Sequence, residues 1–321
     1  MNSFVPSLAP EEIIQQTDVG LSILHTLVYF DLFKHPLTAN EIVKYQFKSS
    51  ATALQISETL DELLRLRMIK NSNGYFSLYT SGEYLERRLN GERQSRKAMA
   101  IARHKSKIIA LFPFVRGVAI SGSLSKGYTD KDGDIDYFII TSPNRLWTCK
   151  LILMLYKKIF LLNSRKHFCL NYFISNDQLT IPDKNIFTAI EIAFLKCTYN
   201  QSQIDQFNRA NSWIATFLPI HSFISGVGTN PYRESKIEWL FKGWVGNIFE
   251  KFSYKILKFH KSVKFKHYHP AQVNINLRST STASKHHPLG YQQRVLSAFA
   301  ERCEKINSEY LASMHRDITH S

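Results

Sequence analysis

Two aspartates and a small-residue turn carry the chemistry legible in this chain. Residues 118–140 read VAISGSLSKGYTDKDGDIDYFII. Val118, Ala119 and Ile120 form an apolar strand that breaks at Ser121-Gly122-Ser123. A polar loop follows, and Asp134-Ile135-Asp136 leads into a second apolar strand ending at Ile140. Strand side chains alternate between faces, so Asp134 and Asp136 are expected to point one way while Ile135 and Tyr137 pack the other. Two carboxylates so placed repel, and a dry site holds both ionised only with a cation between them. Mg²⁺ suits, with Mn²⁺ the alternative, because such hard cations take carboxylates together with substrate phosphates. Gly122 lets backbone approach a ligand closely, and Ser123 with the amides after it can receive phosphate oxygens. Lys126 can add positive charge from the loop, with Asp132 a supporting or loop residue. A phosphate grip beside a metal clamp is what nucleotidyl transfer requires. The plainer alternative is an acidic turn, Asp130, Asp132 and Asp134, between two ordinary strands. A solvated turn does not require a carboxylate within the strand at Asp136.

The joint pattern resembles the polymerase-β-like nucleotidyltransferase superfamily, whose signature is a hydrophobic strand, Gly-Ser, a short loop and Asp-hydrophobic-Asp on the next strand. Gly122-Ser123 and Asp134-Ile135-Asp136 match it, and the resemblance covers residues 101–175. It implies a nucleoside triphosphate such as ATP at Gly122 and Ser123, with Mg²⁺ at Asp134 and Asp136. An acceptor hydroxyl, on a molecule the sequence does not name, would attack the α-phosphorus as pyrophosphate leaves. In the family a third acidic residue sits on the following strand and helps activate that hydroxyl. Here the strand at 166–175 offers Asn171, which can position substrate or ligate weakly but cannot take a proton. The base is then sought at Asp177 or Glu191, or the domain binds nucleotide without turning it over.

The elements expected to position these residues give an α+β chain: a mixed nucleotidyltransferase-like sheet with helices at 83–182, a preceding unit at 1–82 and a helical C-terminal region at 183–321. In the first unit Asp18 caps a helix that Pro36 stops. Thr38 opens a second helix with Glu41 as capping-box partner, and a third runs over 50–67. Asn73-Gly74 then marks a hairpin. Three helices and a hairpin resemble the winged helix-turn-helix fold, which implies DNA binding through the third helix. That helix brings Gln55 but no basic residue to its start, so packing or protein recognition is the competing expectation.

A basic helix is expected over 83–111, broken near Asn90-Gly91, and another helix over 145–162. Farther on, helices are expected at 187–199, 203–218, 236–261 and 291–306, with a loop at 273–287. In the helix at 236–261, Trp239, Leu240, Trp244, Ile248, Phe249, Phe252 and Ile256 are expected to face a core. Lys251, Lys255, Lys258 and Lys261 make a basic stripe suited to an anionic polymer or an acidic lipid surface.

The composition sets limits. Of 321 residues, 44% are hydrophobic and 21% charged, which excludes a disordered chain. The net charge of +15 favours phosphate-bearing partners, nucleic acid and anionic membranes among them. Cys149, Cys169, Cys197 and Cys303 are too scattered for a zinc site or disulfide framework, which points to a reducing cytoplasm. The first residues lack the layout of a secretion signal. The most apolar run, 146–162, is interrupted by Lys150, Lys157 and Lys158, so no transmembrane segment is expected.

Overall fold

The computed structural model describes residues 18–79, 82–162, 166–219, 236–241, 243–264, 279–285 and 290–320. The chain is α+β, and its described residues form two sheets. It forms two compact units. One comprises Met1–Leu85, Ala215–His221 and Ala298–Ser321; the other comprises Glu86–Ile214 and Ser222–Ser297. Among the described residues no helix is long and apolar enough to cross a membrane.

In the first unit the capping signals act as the sequence foretells. Asp18 Oδ1 accepts the Gly20 amide at 2.7 Å and opens α1 (Val19–Asp31). Strand β1 (Leu37–Thr38) leads into α2 (Ala39–Tyr45), where Thr38 and Glu41 form a reciprocal capping box. Thr52 and Gln55 do the same for α3 (Ala53–Arg65). Strands β2 (Lys70–Ser72) and β3 (Tyr75–Ser77) are joined through Asn73 and Gly74, both at positive φ, as the tightest hairpin turn requires. The sheet order is β1-β3-β2, and Leu24, Leu27, Ile42, Ile56, Leu63 and Phe76 are buried. Residues 298–320 of the last helix belong to this unit. There Arg302 pairs with Asp31 at 2.8 Å, and the Tyr310 hydroxyl donates to Asp18 at 3.3 Å.

Helix α4 (Gly82–Ala110) continues through Asn90 and Gly91, so the expected break is absent. Gly91 serves close packing instead: a Cβ there would fall 2.1 Å from the Tyr128 ring. The second unit is built on a five-stranded sheet of order β7-β4-β5-β6-β8. Its strands are β4 (Val115–Ser121), β5 (Asp136–Thr141), β6 (Cys169–Ser175), β7 (Lys196–Tyr199) and β8 (Ala283–Lys285). β5 runs antiparallel to β4 and parallel to β6; the parallel link crosses over through α6 (Leu146–Phe160). Val118, Ile120, Tyr137, Ile139 and Phe173 join Ala102, Ile109, Leu146 and Leu153 in one core. Between β4 and β5 lies the single turn α5 (Gly122–Ser125).

Four sequence expectations fail here for physical reasons. The apolar run 187–199 is a helix only as α7 (Ile186–Ala193); Lys196–Tyr199 becomes β7. Pairing with the edge of β4 overrides local periodicity, and Thr198 Oγ1 reinforces it by donating to Val118 O at 3.1 Å. The expected helix 203–218 is α8 (Gln201–Ala210) followed by a 3₁₀ turn, Ser212–Thr216. Between them buried Asn211 donates from Nδ2 to Phe207 O at 2.8 Å and Leu179 O at 2.9 Å, so its amide competes with the helical ladder. The described part of the expected loop at 273–287 includes β8, paired antiparallel to β6; the rest of that loop lies outside the described residues.

The last correction concerns residues 236–261. Gly243, at φ +75°, separates α9 (Lys236–Leu240) from α10 (Trp244–Lys264). Trp239, Trp244, Ile248, Phe252 and Ile256 are exposed rather than buried. The inward side of α10 is instead mixed, with Tyr254 packed on Trp147 beside a glutamate, a serine and a leucine. Glu250 accepts the Trp147 and Thr148 amides, each at 2.8 Å, and so caps α6, whose own N-cap residue Arg145 makes no side-chain cap. Beyond it Ser253 and Leu257 are buried. The final helix, α11 (Tyr291–His320), runs well past residue 306.

Candidate functional site

Strand pairing decides where the small-residue turn and the acids meet. Ser121, the last residue of β4, lies directly opposite Asp136, the first of β5. Gly122 follows at φ +68°, a backbone conformation that strains any side chain. A Cβ on Gly122 would stand 2.4 Å from Asp136 Oδ2, so this glycine is the only residue that leaves the carboxylate its place. Ser123 is exposed on α5, while Leu124 and Ser125 are buried and anchor the turn.

The acids alternate with packing residues as expected: Ile135 and Tyr137 are buried, Asp136 is partly buried and Asp134 is exposed. Desolvation pushes the Asp136 carboxyl up to about 6. Cys169, directly opposite on β6, donates to it and pulls the other way, whereas Glu191 and Asp134 push further up and Lys126 pulls down. Burial also pushes the Cys169 thiol far up, so it stands as a neutral donor rather than a thiolate.

Lys126 is already engaged. Its Nζ lies 2.7 Å from Glu191 Oε1 on α7 and donates to Gly122 O at 3.2 Å. The ammonium thus ties the turn to a third carboxylate near Asp136. Of the two base candidates, Glu191 belongs to this cluster. Asp177 does not: it follows the end of β6, hydrogen-bonded to Ser175, which pairs with Thr141. Five residues of strand, about 17 Å, separate Thr141 from Asp136. Asn171 is buried on β6 two residues beyond Cys169, where the pairing with β5 skips a residue between Leu170 and Tyr172. The sequence points to Asn171 as the polar residue of that strand, whereas the register puts Cys169 opposite Asp136.

The loop between turn and acids is pinned to α4. Tyr128 lies on Gly91, the Thr129 amide donates to Gly91 O at 3.3 Å, and Arg87 pairs with Asp130 at 3.3 Å. Asp132 lies outside the cluster, on the surface with Lys166 at 2.9 Å, which lowers its carboxyl below the usual range.

The donor chemistry fits a hard divalent cation. Asp134 and Asp136 flank the buried Ile135, and Asp136 is desolvated beside further negative charge. Among the described residues no group of three or more His, Cys, Asp or Glu is arranged to hold a metal ion. Asp134 and Asp136 are the residues that could hold one, together with phosphate oxygens of a ligand. Comparison with family models, with characterised proteins and with solved structures gave no match.

Proposed function

We propose that the chain is a divalent-metal-dependent nucleotidyltransferase working at the corner of β4, α5 and β5. The observation that carries this reading is Gly122 set at positive φ against the Asp136 carboxylate. It brings a turn fit for phosphate within reach of acids fit for a metal. Mg²⁺, or Mn²⁺ in its place, would neutralise charge on the attacking and leaving oxygens of the triphosphate. Asp134 and Asp136 would hold it, and Ser123 with the following amides would receive phosphate oxygens. A triphosphate oxygen would compete with Glu191 for the Lys126 ammonium. Glu191, relieved of that partner, would stand beside the acids to accept the proton of the incoming hydroxyl, which Asn171 cannot do.

Thermal melts with Mg²⁺ and each nucleoside triphosphate, followed by pyrophosphate release on adding a cell extract as acceptor source, test the reading. A melt shift present in the wild type and absent in Asp134→Ala/Asp136→Ala supports it, and no shift with any triphosphate refutes it.

The order β1-β3-β2 behind three helices supports a winged-helix-like reading of the first unit. Its use as a DNA reader is the weaker part. Gln55, the amide at the start of α3, already accepts the Thr52 amide through Oε1 at 2.9 Å. We assign that unit to packing or protein recognition; a gel shift that survives raised salt would overturn the assignment.

A further inference from the structure

The outward face of α10 is apolar. A helix advances about 100° per residue, and on that wheel Trp244, Ile248, Phe252, Ile256, Phe259 and Val263 fall within one arc of about 120°. All six are exposed, Trp244 by 73% and Phe259 by 70%. Lys251, Lys255 and Lys258, also exposed, follow one edge of the arc. The helix is held from behind, with Glu250 on the α6 amides and Ser253 and Leu257 buried.

We propose that α10 lies on a membrane surface, its apolar arc among the acyl chains and its lysine edge on acidic lipid headgroups. Charge complementarity selects this occupant. Glu250 is the one acid in α10, and it is turned inward. A second copy of the helix would set lysines against lysines with no carboxylate between them. Nucleic acid would satisfy the lysines and stack on aromatics, but it would leave Ile248, Ile256 and Val263 in water. A bilayer with acidic lipids takes both parts, and the net charge of +15 adds attraction at longer range. Trp244, at the start of the helix, has the amphipathic ring that settles at the headgroup boundary.

Flotation of the full chain with vesicles tests the proposal, using phosphatidylcholine alone and phosphatidylcholine mixed with phosphatidylglycerol. The wild type is expected to float with the mixed vesicles far more than with the neutral ones. Lys251→Gln/Lys255→Gln/Lys258→Gln should lose on the order of a hundredfold in partitioning, since each lysine near such a surface contributes about fivefold. Phe252→Ser/Phe259→Ser should lose binding to both kinds of vesicle. All five side chains are exposed, so wild-type melting temperatures are expected and exclude misfolding as the cause. Failure of the wild type to float, or flotation that neither variant reduces, overturns the proposal. So does a solution dimer, or DNA binding, that the phenylalanine variant abolishes.

Discussion

Gly122 and Asp136 occupy one corner of the sheet so tightly that a single methyl group on the first would displace the second: its carbon would lie 2.4 Å from Oδ2. The juxtaposition follows from Ser121 pairing with Asp136 across two antiparallel strands.

Replacing this glycine tests the corner directly. Gly122→Ala places a side chain at φ +68°, which costs about 1–2 kcal/mol in backbone strain before the carboxylate is moved. Urea unfolding should show at least that loss, and the melt shift with Mg²⁺ and triphosphate should disappear. A variant as stable as wild type would show that the turn relaxes away from Asp136.

The raised carboxyl of Asp136 makes a prediction of opposite sign. Its folded value of about 6 lies above the ordinary 3.8, so ionisation opposes folding at neutral pH. Asp136→Asn should therefore stabilise the metal-free protein near neutrality by about 1–3 kcal/mol while abolishing the nucleotide-dependent shift. As pH falls from about 6 towards 4, the wild-type group takes up its proton and the gain should fade. A gain that stays constant across that range would assign it to something other than charge.

The ion pair between Lys126 and Glu191 can be weighed by a double-mutant cycle. Lys126→Met, Glu191→Gln and the double variant should reveal a coupling of about 1–3 kcal/mol, as for a charged hydrogen bond that is mostly shielded. With saturating Mg²⁺ and triphosphate that coupling should shrink, because phosphate competes for the ammonium. Unchanged coupling would mean that the pair stays closed and that Glu191 is not released.

Gly91 offers a test by sign alone. Inside a helix, glycine to alanine normally gains about 0.5–1 kcal/mol. Here the new carbon would fall 2.1 Å from the Tyr128 ring, so Gly91→Ala should destabilise. Adding Tyr128→Ala should restore the usual gain, read from chemical unfolding of the three variants.

The candidate corner was legible because it rests on local signals. Gly122-Ser123 and the alternation of Asp134, Ile135 and Asp136 are written within a few residues of one another, and so are the caps at Asp18 and Thr38. What the sequence hid depends on distant partners. Lys196–Tyr199 reads as helix until β4 offers it an edge, and Asn211 looks like any helical residue until Leu179 and Phe207 claim its amide. The register of β6, invisible in the sequence, puts Cys169 rather than Asn171 opposite Asp136. The apolar side of α10 was assigned inward because burial is the common fate of such side chains. Its true inward side is set by a glutamate that serves another helix.

The first unit joins segments far apart in sequence: Asp18, which opens its first helix, also receives the hydroxyl of Tyr310. During translation, then, α1, α2 and α3 are made long before the segment that carries Tyr310. The described strands of the sheet that carries Asp136 all lie at or before residue 285, outside the C-terminal segment that the N-terminal helices share. A chain cut after Ser297 should therefore display a protease-resistant middle and a protease-sensitive beginning.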